Sequence, residues 1–451
     1  MLRHRFPGTI SRALKELPPT LDETYARILL GIDKDSQEYS HCLLECLCIS
    51  IRPLRLAELA NVLFILFDNG RDPEDCIDWH SEDSQQALLS ACSSLVTVVN
   101  INGSPVVQFA HFSVREFLVS DRLNEAGECL FRFCVVPHSA HTTLARASLN
   151  TLLSLDEHVD KTAVEKHHPL AVYGARHWVD HAKFGTVLLD IQELVERLFD
   201  RNGPSFAAWV WIYDFDHPWA GQISTAQPKQ PEASPSYYAS LCGVPCIVEH
   251  LAVIHPGDLN AKGGQHVTPL SAAFANREFD VARTLLQHGA DVNAPGMTGF
   301  SPLHAASFGG DHDAVQLLLE YEADVNITVD DDGSKWPTPL GFAAFRGEVE
   351  VCRLLVKHGA HINSLNDNTV SALHTASQGG HPDVVKFLLD CGAALDPLDD
   401  DGLTPLAIAS QYGHADIVHI LIKSGAAVNS CDDSRSTPLN EASKRGHLGV
   451  V

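Results

Sequence analysis

The chain has 451 residues, 45% of them hydrophobic and 20% charged, with 57 acidic against 32 basic side chains and a formal charge of −25. That length suggests roughly two to four domains. The acidic balance excludes broad, salt-sensitive nucleic-acid binding, which needs a basic surface to neutralise phosphates.

From the N-terminus, MLRHRFPGTISRALKELPP carries positive charge but no apolar core, so it does not read as a secretory signal. The longest apolar stretch, Leu54 to Phe67, is broken by Arg55, Glu58 and Asn61 and is too short to span a bilayer. A cytoplasmic location without membrane contact is expected. The twelve cysteines form no C-x-x-C pair. Cys42, Cys46 and Cys48, like Cys242 and Cys246, therefore read as small buried hydrophobes in a reducing compartment, and no metal or cofactor is expected.

Helical apolar spacing runs over Leu21–Ile32, over Tyr39–Ile51 and, after a break at Arg52-Pro53-Leu54, over Leu56–Phe67. Ser84–Ser94 is a further helical candidate, the third counted from Tyr39. The period then changes: Leu95–Val99 and Val106–Phe109 are β-branched runs around Asn102-Gly103, a hairpin signal. Helices followed by a hairpin are the order of a winged helix, and a further helix starts near Ser113. Ser84–Ser94 contains no Lys or Arg, so this winged helix is not expected to read DNA. His177 and His181 have a metal-capable i, i+4 spacing, but the Arg176-His177-Trp178 context favours packing.

Three segments carry a specific resemblance: LPPTLDETYARILLGI (Leu17–Ile32), SIRPLRLAELANVL (Ser50–Leu63) and FAHFSVREFLVSDRL (Phe109–Leu123). They resemble the stretch that follows the nucleotide-binding module in fungal NACHT–ankyrin proteins, receptors of the STAND class related in plan to NOD-like receptors. PLAVYGARHWVDHAKF (Pro169–Phe184) and FAAWVWIYDFDHPW (Phe206–Trp219) are similar to the helical linker that comes next. The resemblance implies a winged-helix-like region over 1–125, a helical linker domain over 126–220 and an irregular joint over 221–233. In such receptors a winged-helix histidine approaches nucleotide. No G-x-x-x-x-G-K-[ST] phosphate loop, and no Gly-Lys dipeptide, occurs in this chain. His111 is therefore expected to be a packed, hydrogen-bonded core residue. There is likewise no G-x-S-x-G elbow and no H-E-x-x-H, so an enzyme is not expected.

The second half is periodic. Thr/Ser-Pro/Ala-Leu starts at Thr268, Ser301, Thr338, Ser371, Thr404 and Thr437, in steps of 33, 37, 33, 33 and 33, with a degenerate copy at Ser234. Gly289-Ala-Asp-Val-Asn293 and its copies at 322, 359, 392 and 425 run in phase. Thr or Ser caps a helix, Pro fits its first turn, and alanines let two helices approach. Glycines near 309, 347, 379 and 413 end the first helix of each copy, and Gly289, Gly359, Gly392 and Gly425 end the second. These marks resemble ankyrin repeats, six full copies and a truncated seventh over 234–451. The fold expected is thus mostly α: a winged-helix-like and helical N-terminal region, then an α-solenoid with short β-hairpin loops.

Thr268, Pro302, His304, Thr338, His374, Thr404 and Thr437 occupy the structural repeat positions, and the family pattern implies that His304 and His374 link neighbouring turns. Asp330-Asp-Asp-Gly333 and Asp399-Asp-Asp-Gly402 lack the spaced ligands of a calcium loop. The third copy carries a four-residue insertion ending Lys335-Trp336. Asp330, Asp331, Asp332, Lys335, Trp336, Asp367, Asp399, Asp400 and Asp432 are the candidate partner contacts on the concave face, and a basic protein is the partner they would suit. Self-association and docking onto a separate nucleotide-binding module are further expected associations. The function expected is protein–protein interaction, as the sensing and regulatory part of a STAND-type receptor without its own ATPase; the alternative is a stand-alone ankyrin adaptor. On the receptor reading, the chain is a piece of a longer protein, entered where the nucleotide-binding core would end and left at Val451.

Overall fold

The computed structural model describes residues 20–68, 86, 89–90, 92, 94–101, 103–120, 123, 128–156, 158–217, 229–296, 299–328, 330–331, 334–335, 337–365 and 370–451. It is mostly helical and divides into two compact units, 1–231 and 232–451.

In the first unit, helix α1 (Leu21–Leu30) starts where the Thr20 hydroxyl accepts from the Glu23 amide. Helix α2 (Gln37–Ile49) follows and is buried from Cys42 to Cys48. The break at Arg52-Pro53 does more than end this helix. Leu54–Arg55 form a short strand, β1, which leads directly into α3 (Leu56–Leu63). Strands β2 (Val96–Ile101) and β3 (Ser104–Phe109) make the expected hairpin, with Gly103 at φ +82 in its turn. Strand β3 also pairs with β1, Leu54 opposite Val107, which gives an antiparallel sheet in the order β1-β3-β2. Helix–strand–helix leading to a three-stranded sheet is the winged-helix arrangement. Of the helix expected over 84–94, Gln86, Leu89 and Ser90 are helical and Cys92 and Ser94 lie in a turn; the rest is outside the described residues.

Helix α4 (Phe112–Val119) closes the winged helix, and α5 (Glu128–Phe131), α6 (Pro137–Leu153), α7 (Lys161–His167), α8 (Ala171–Ala182), α9 (Val187–Leu198) and α10 (Pro204–Ile212) follow. Leu144 and Ala147 of α6 and Tyr173 of α8 share one buried core with Leu44, Leu59 and Phe117 of the winged-helix elements. Beyond it, α8 and α10 bring together Trp178 and Trp209, fully buried with ring centroids 5.9 Å apart, and the Trp209 indole donates to the Ala175 carbonyl.

The second unit stacks helix pairs: α11 (Pro235–Cys242) with α12 (Pro245–Ile254), α13 (Pro269–Ala275) with α14 (Phe279–Gln287), α15 (Pro302–Gly309) with α16 (His312–Glu320), α17 (Pro339–Arg346) with α18 (Val349–Lys357), α19 (Ala372–Gly379) with α20 (Pro382–Asp390), and α21 (Pro405–Tyr412) with α22 (Ala415–Lys423). A single helix, α23 (Pro438–Arg445), ends the series. Capping sets this register. The Thr268, Thr338, Thr404 and Thr437 hydroxyls accept from the amides of Ser271, Gly341, Ala407 and Asn440. Pro302 opens α15, where its missing N–H costs nothing. The left-handed residue after the first helix is Gly347 in the fourth copy; in the third and fifth it is Gly310 and Gly380, one position beyond the expected glycine.

The repeats are joined along their hairpins by one recurring bond. The side-chain oxygens of Asn260, Asn293, Asn326, Asn363 and Asp396 accept from the amides of Asp291, Asp324, His361, Ala394 and Ala427 in the next copy. The sequence separation is 31 at four of these steps and 35 at the third, across the insertion. The inserted residues thus loop out without breaking the stack. Under this row a continuous core runs from Leu303 to Ala426, built of leucine, valine and alanine. No single helix pair could bury such a face alone.

Candidate interaction surface

In the third and fifth copies the cap is reciprocal. Ser371 Oγ accepts from the His374 amide while His374 Nδ1 accepts from the Ser371 amide at 3.0 Å. The imidazole Nε2–H then donates to the carbonyls of Leu403 at 3.1 Å and Pro397 at 3.2 Å, in the hairpin that leads into the following copy. A ring that accepts at one nitrogen and donates at the other must be neutral. Burial holds the His374 pKa below its usual value. His304 makes the same reciprocal cap with Ser301, and burial pushes its pKa down to about 4.

The acidic loop residues are arranged differently from a row of open carboxylates. Asp399 Oδ1 accepts from the amides of Asp401 and Leu403, and Asp432 Oδ1 from that of Ser436 at 2.6 Å; both are half-buried and hold their own turns. Asp400 is exposed beside them. In the insertion, the backbones of Asp330–Asp331 (β4) and Ser334–Lys335 (β5) pair as a two-stranded ribbon, Asp330 opposite Lys335. Asp332, Trp336 and Asp367 lie outside the described residues.

The surface that stands out lies on the first helices. Phe308 and Phe345 occupy the seventh position after the capping residue in consecutive copies and are 44% and 37% exposed. Phe342 meets Phe308 edge-on at 5.6 Å and Phe300 at 5.1 Å, which ties three rings together. The Arg346 guanidinium lies over the Phe308 ring at 5.0 Å. Tyr412, 46% exposed, continues the row, its hydroxyl accepting from Gln378 Nε2 at 3.1 Å.

Two clefts open along this row. One, of about 540 Å³, is lined by Phe274, Phe300, Pro302, Ala305 and the Arg277–Asp311 ion pair. The other, of about 460 Å³, is lined by Phe345, Arg346, Gln378, Gly379, His381 and Tyr412. Aromatic side chains with a stacked arginine are the residue types that dominate protein-contact energetics. Reading the loops for charge missed this row. The signal was the offset: phenylalanine stands where the second, fifth and sixth copies have Ala275, Gln378 and Gln411.

Of the N-terminal residues singled out in the sequence, two lie in a hydrogen-bonded cluster and one departs from its expected place. His177 Nδ1 pairs with Asp180 at 2.9 Å. His181 is fully buried, with Nε2 on the Tyr173 hydroxyl and Nδ1 on His141 Nδ1, both at 2.8 Å. Burial first, and His141 second, push the His181 pKa down to about 3. Tyr173 also accepts from the Ile51 amide and lies under Arg52, whose guanidinium grips the fully buried Glu58 at 2.6 and 2.9 Å. His111 is exposed, contrary to the expectation of a core residue. It sits at the cap of α4, where Nδ1 accepts from the Ser113 amide, and Phe112 beside it is 70% exposed.

Taken together, the capped helix pairs, hairpin row and three-stranded winged sheet define an ankyrin-repeat solenoid preceded by a winged-helix and helical unit. Residues 236–329, 329–398 and 380–451 match the family profile of ankyrin repeats. Residues 29–128 match that of the winged helix domain of GPI inositol-deacylase. Azaphilone pigments biosynthesis cluster protein L of Monascus ruber is 32% identical to the chain over 290 residues, covering 60% of this chain and 60% of that relative. The match therefore spans less than two thirds of the relative's length. No helix among the described residues is long and apolar enough to cross a membrane.

Proposed function

We propose that the chain is a non-catalytic interaction protein that holds a protein partner on the first-helix face of its ankyrin repeats, the concave face in this architecture. The row Phe300, Phe342, Phe308, Phe345 and Tyr412 carries this reading. Large exposed aromatics are costly to leave in water, and here they line clefts instead of a closed core. The winged-helix and helical unit is the regulatory half of the same device, as the sensing part of a STAND-type receptor without its own ATPase. The winged-helix match and the NACHT–ankyrin resemblance support that role, and a cytoplasmic setting goes with it.

The test is affinity capture from an extract with the full chain and with the Phe308→Ala, Phe345→Ala double variant. Both side chains are partly exposed, so the variant keeps its fold. A partner retained by the native chain and lost by the variant is the expected result; an unchanged set of partners refutes the assignment of the face. Incubation of the purified chain with magnesium and ATP is expected to release no phosphate, and steady turnover would overturn the non-catalytic reading.

A further inference from the structure

The first-helix face has a charge as well as a shape. At the eighth position after the capping residue the copies carry Gly309, Arg346, Gly379 and Tyr412 in succession. Arg346 thus has a glycine at the matching position of each neighbouring copy; a Cβ built at Gly309 would meet open space, whereas Gly379 packs against the Phe345 carbonyl and His381. Arginines of the second and fourth copies are engaged elsewhere: Arg277 with Asp311 at 2.6 Å, Arg283 with Glu320 at 3.7 Å and Arg353 with Glu350 at 3.6 Å. Arg346 makes no ion pair among the described residues; its contact is the face of Phe308. Stacking uses the face of a guanidinium and leaves the N–H donors at its edge, in the fork geometry that matches a carboxylate. In a chain of formal charge −25, this is a cation held open inside an apolar strip.

The face falls into two parts along the repeats. On one side of Arg346 stand Phe308, Phe342 and Phe345; on the other stand Gln378, whose amide nitrogen is held by Tyr412, and Gln411. Because one N–H of Gln378 is held by Tyr412, the tyrosine O–H is left to donate and the Gln378 side-chain oxygen to accept, as a neighbouring peptide group would require. One open cation suits one carboxylate. A nucleic acid or other polyanion would meet a strongly acidic molecule with too few cations to neutralise it.

We propose that this face recognises a short peptide segment of a partner protein in which an Asp or Glu stands beside a bulky apolar side chain. The carboxylate takes Arg346 and the apolar group packs on Phe308 and Phe345. The inference rests on the reading of the first-helix face as the partner site and reverses the basic partner expected from the loops, whose Asp399 and Asp432 carboxylates are occupied by their own turns.

The experiment is selection of a random peptide library displayed on phage against the immobilised full chain, followed by fluorescence anisotropy of the enriched peptides. Enriched sequences are expected to combine Asp or Glu with Leu, Ile or Phe. Their affinity should fall at least about tenfold on Arg346→Glu and fall again as salt is raised. Arg346→Gln, which keeps a polar side chain of similar length, should show a smaller loss, and circular dichroism of both variants should match the native chain. Enrichment of basic peptides, affinity indifferent to Arg346→Glu, displacement by a single-stranded oligonucleotide, or no enrichment at all would each overturn the proposal. Peptides lost on Phe345→Ala but indifferent to Arg346→Glu would sink the carboxylate and leave the face standing. Peptides indifferent to both would remove the face as well.

Discussion

Glu45 and His181 lie buried in the same unit and titrate in opposite directions, so replacing one should expose the other. Burial raises the Glu45 pKa to about 7 from 4.5, so folding favours its protonated form. That contribution is fully present below pH 4.5 and is gone above pH 7. His181 is held down to about 3 from 6.5, so folding favours its neutral form. Its contribution is present above pH 6.5 and is lost as pH falls toward 3. At about 1.4 kcal/mol per unit, acidification from pH 6.5 to 4.5 strengthens the fold by roughly 2 kcal/mol through Glu45 and weakens it by roughly 2 kcal/mol through His181. The two nearly cancel. Glu45→Gln removes the first, so the variant should lose about 2 kcal/mol more than the native chain over this window; His181→Gln should lose about 2 kcal/mol less. Urea unfolding followed by tryptophan fluorescence measures this, because five of the six tryptophans lie in residues 1–231. Equal pH slopes in the native and Glu45→Gln proteins would refute the reasoning.

Further outcomes follow from the repeats. His374→Ala removes the side-chain half of a reciprocal cap and the Nε2–H bonds to the hairpin that leads into the next copy, and should cost about 2–3 kcal/mol, read as faster amide hydrogen exchange in α19 and α21. Asn363→Ala removes the bond from the Ala394 amide at 2.7 Å and the one to the Gly392 carbonyl. Both are exposed, so a loss near 1 kcal/mol is expected by thermal unfolding of the solenoid. Glu322 sits at φ +60, where four other copies place glycine at +90 to +98. Glu322→Gly should therefore stabilise the repeats by about 0.5–1 kcal/mol, and a lowered melting temperature would contradict the strain argument.

What could be read without coordinates was local and repeated. A capping hydroxyl followed by proline, and a glycine at the end of a helix, act within a few residues, and a fixed period multiplies the signal until the register is unambiguous. The hairpin was readable for the same reason, since Asn-Gly between β-branched runs is a short-range instruction. Strand β1 was not, because two residues carry no periodicity and its existence depends on Val107, far along the chain. The Arg52–Glu58 pair under Tyr173 was equally hidden, since three segments meet there. His111 misled because a family motif fixed its position in sequence but not its exposure. The aromatic row falls between these cases: each phenylalanine looks like core until the copies are aligned by offset from the cap.

The looped-out insertion has a practical consequence. The bond from His361 to Asn326 spans the β4–β5 ribbon and joins the third and fourth copies with the same partners used elsewhere. The ribbon is therefore a side branch, off the line along which one repeat grips the next. A branch of this kind can be lengthened, shortened or replaced by a reporter without retuning its neighbours. It marks the place in the solenoid where a fluorophore or an affinity tag can be introduced while the recognition face keeps its shape.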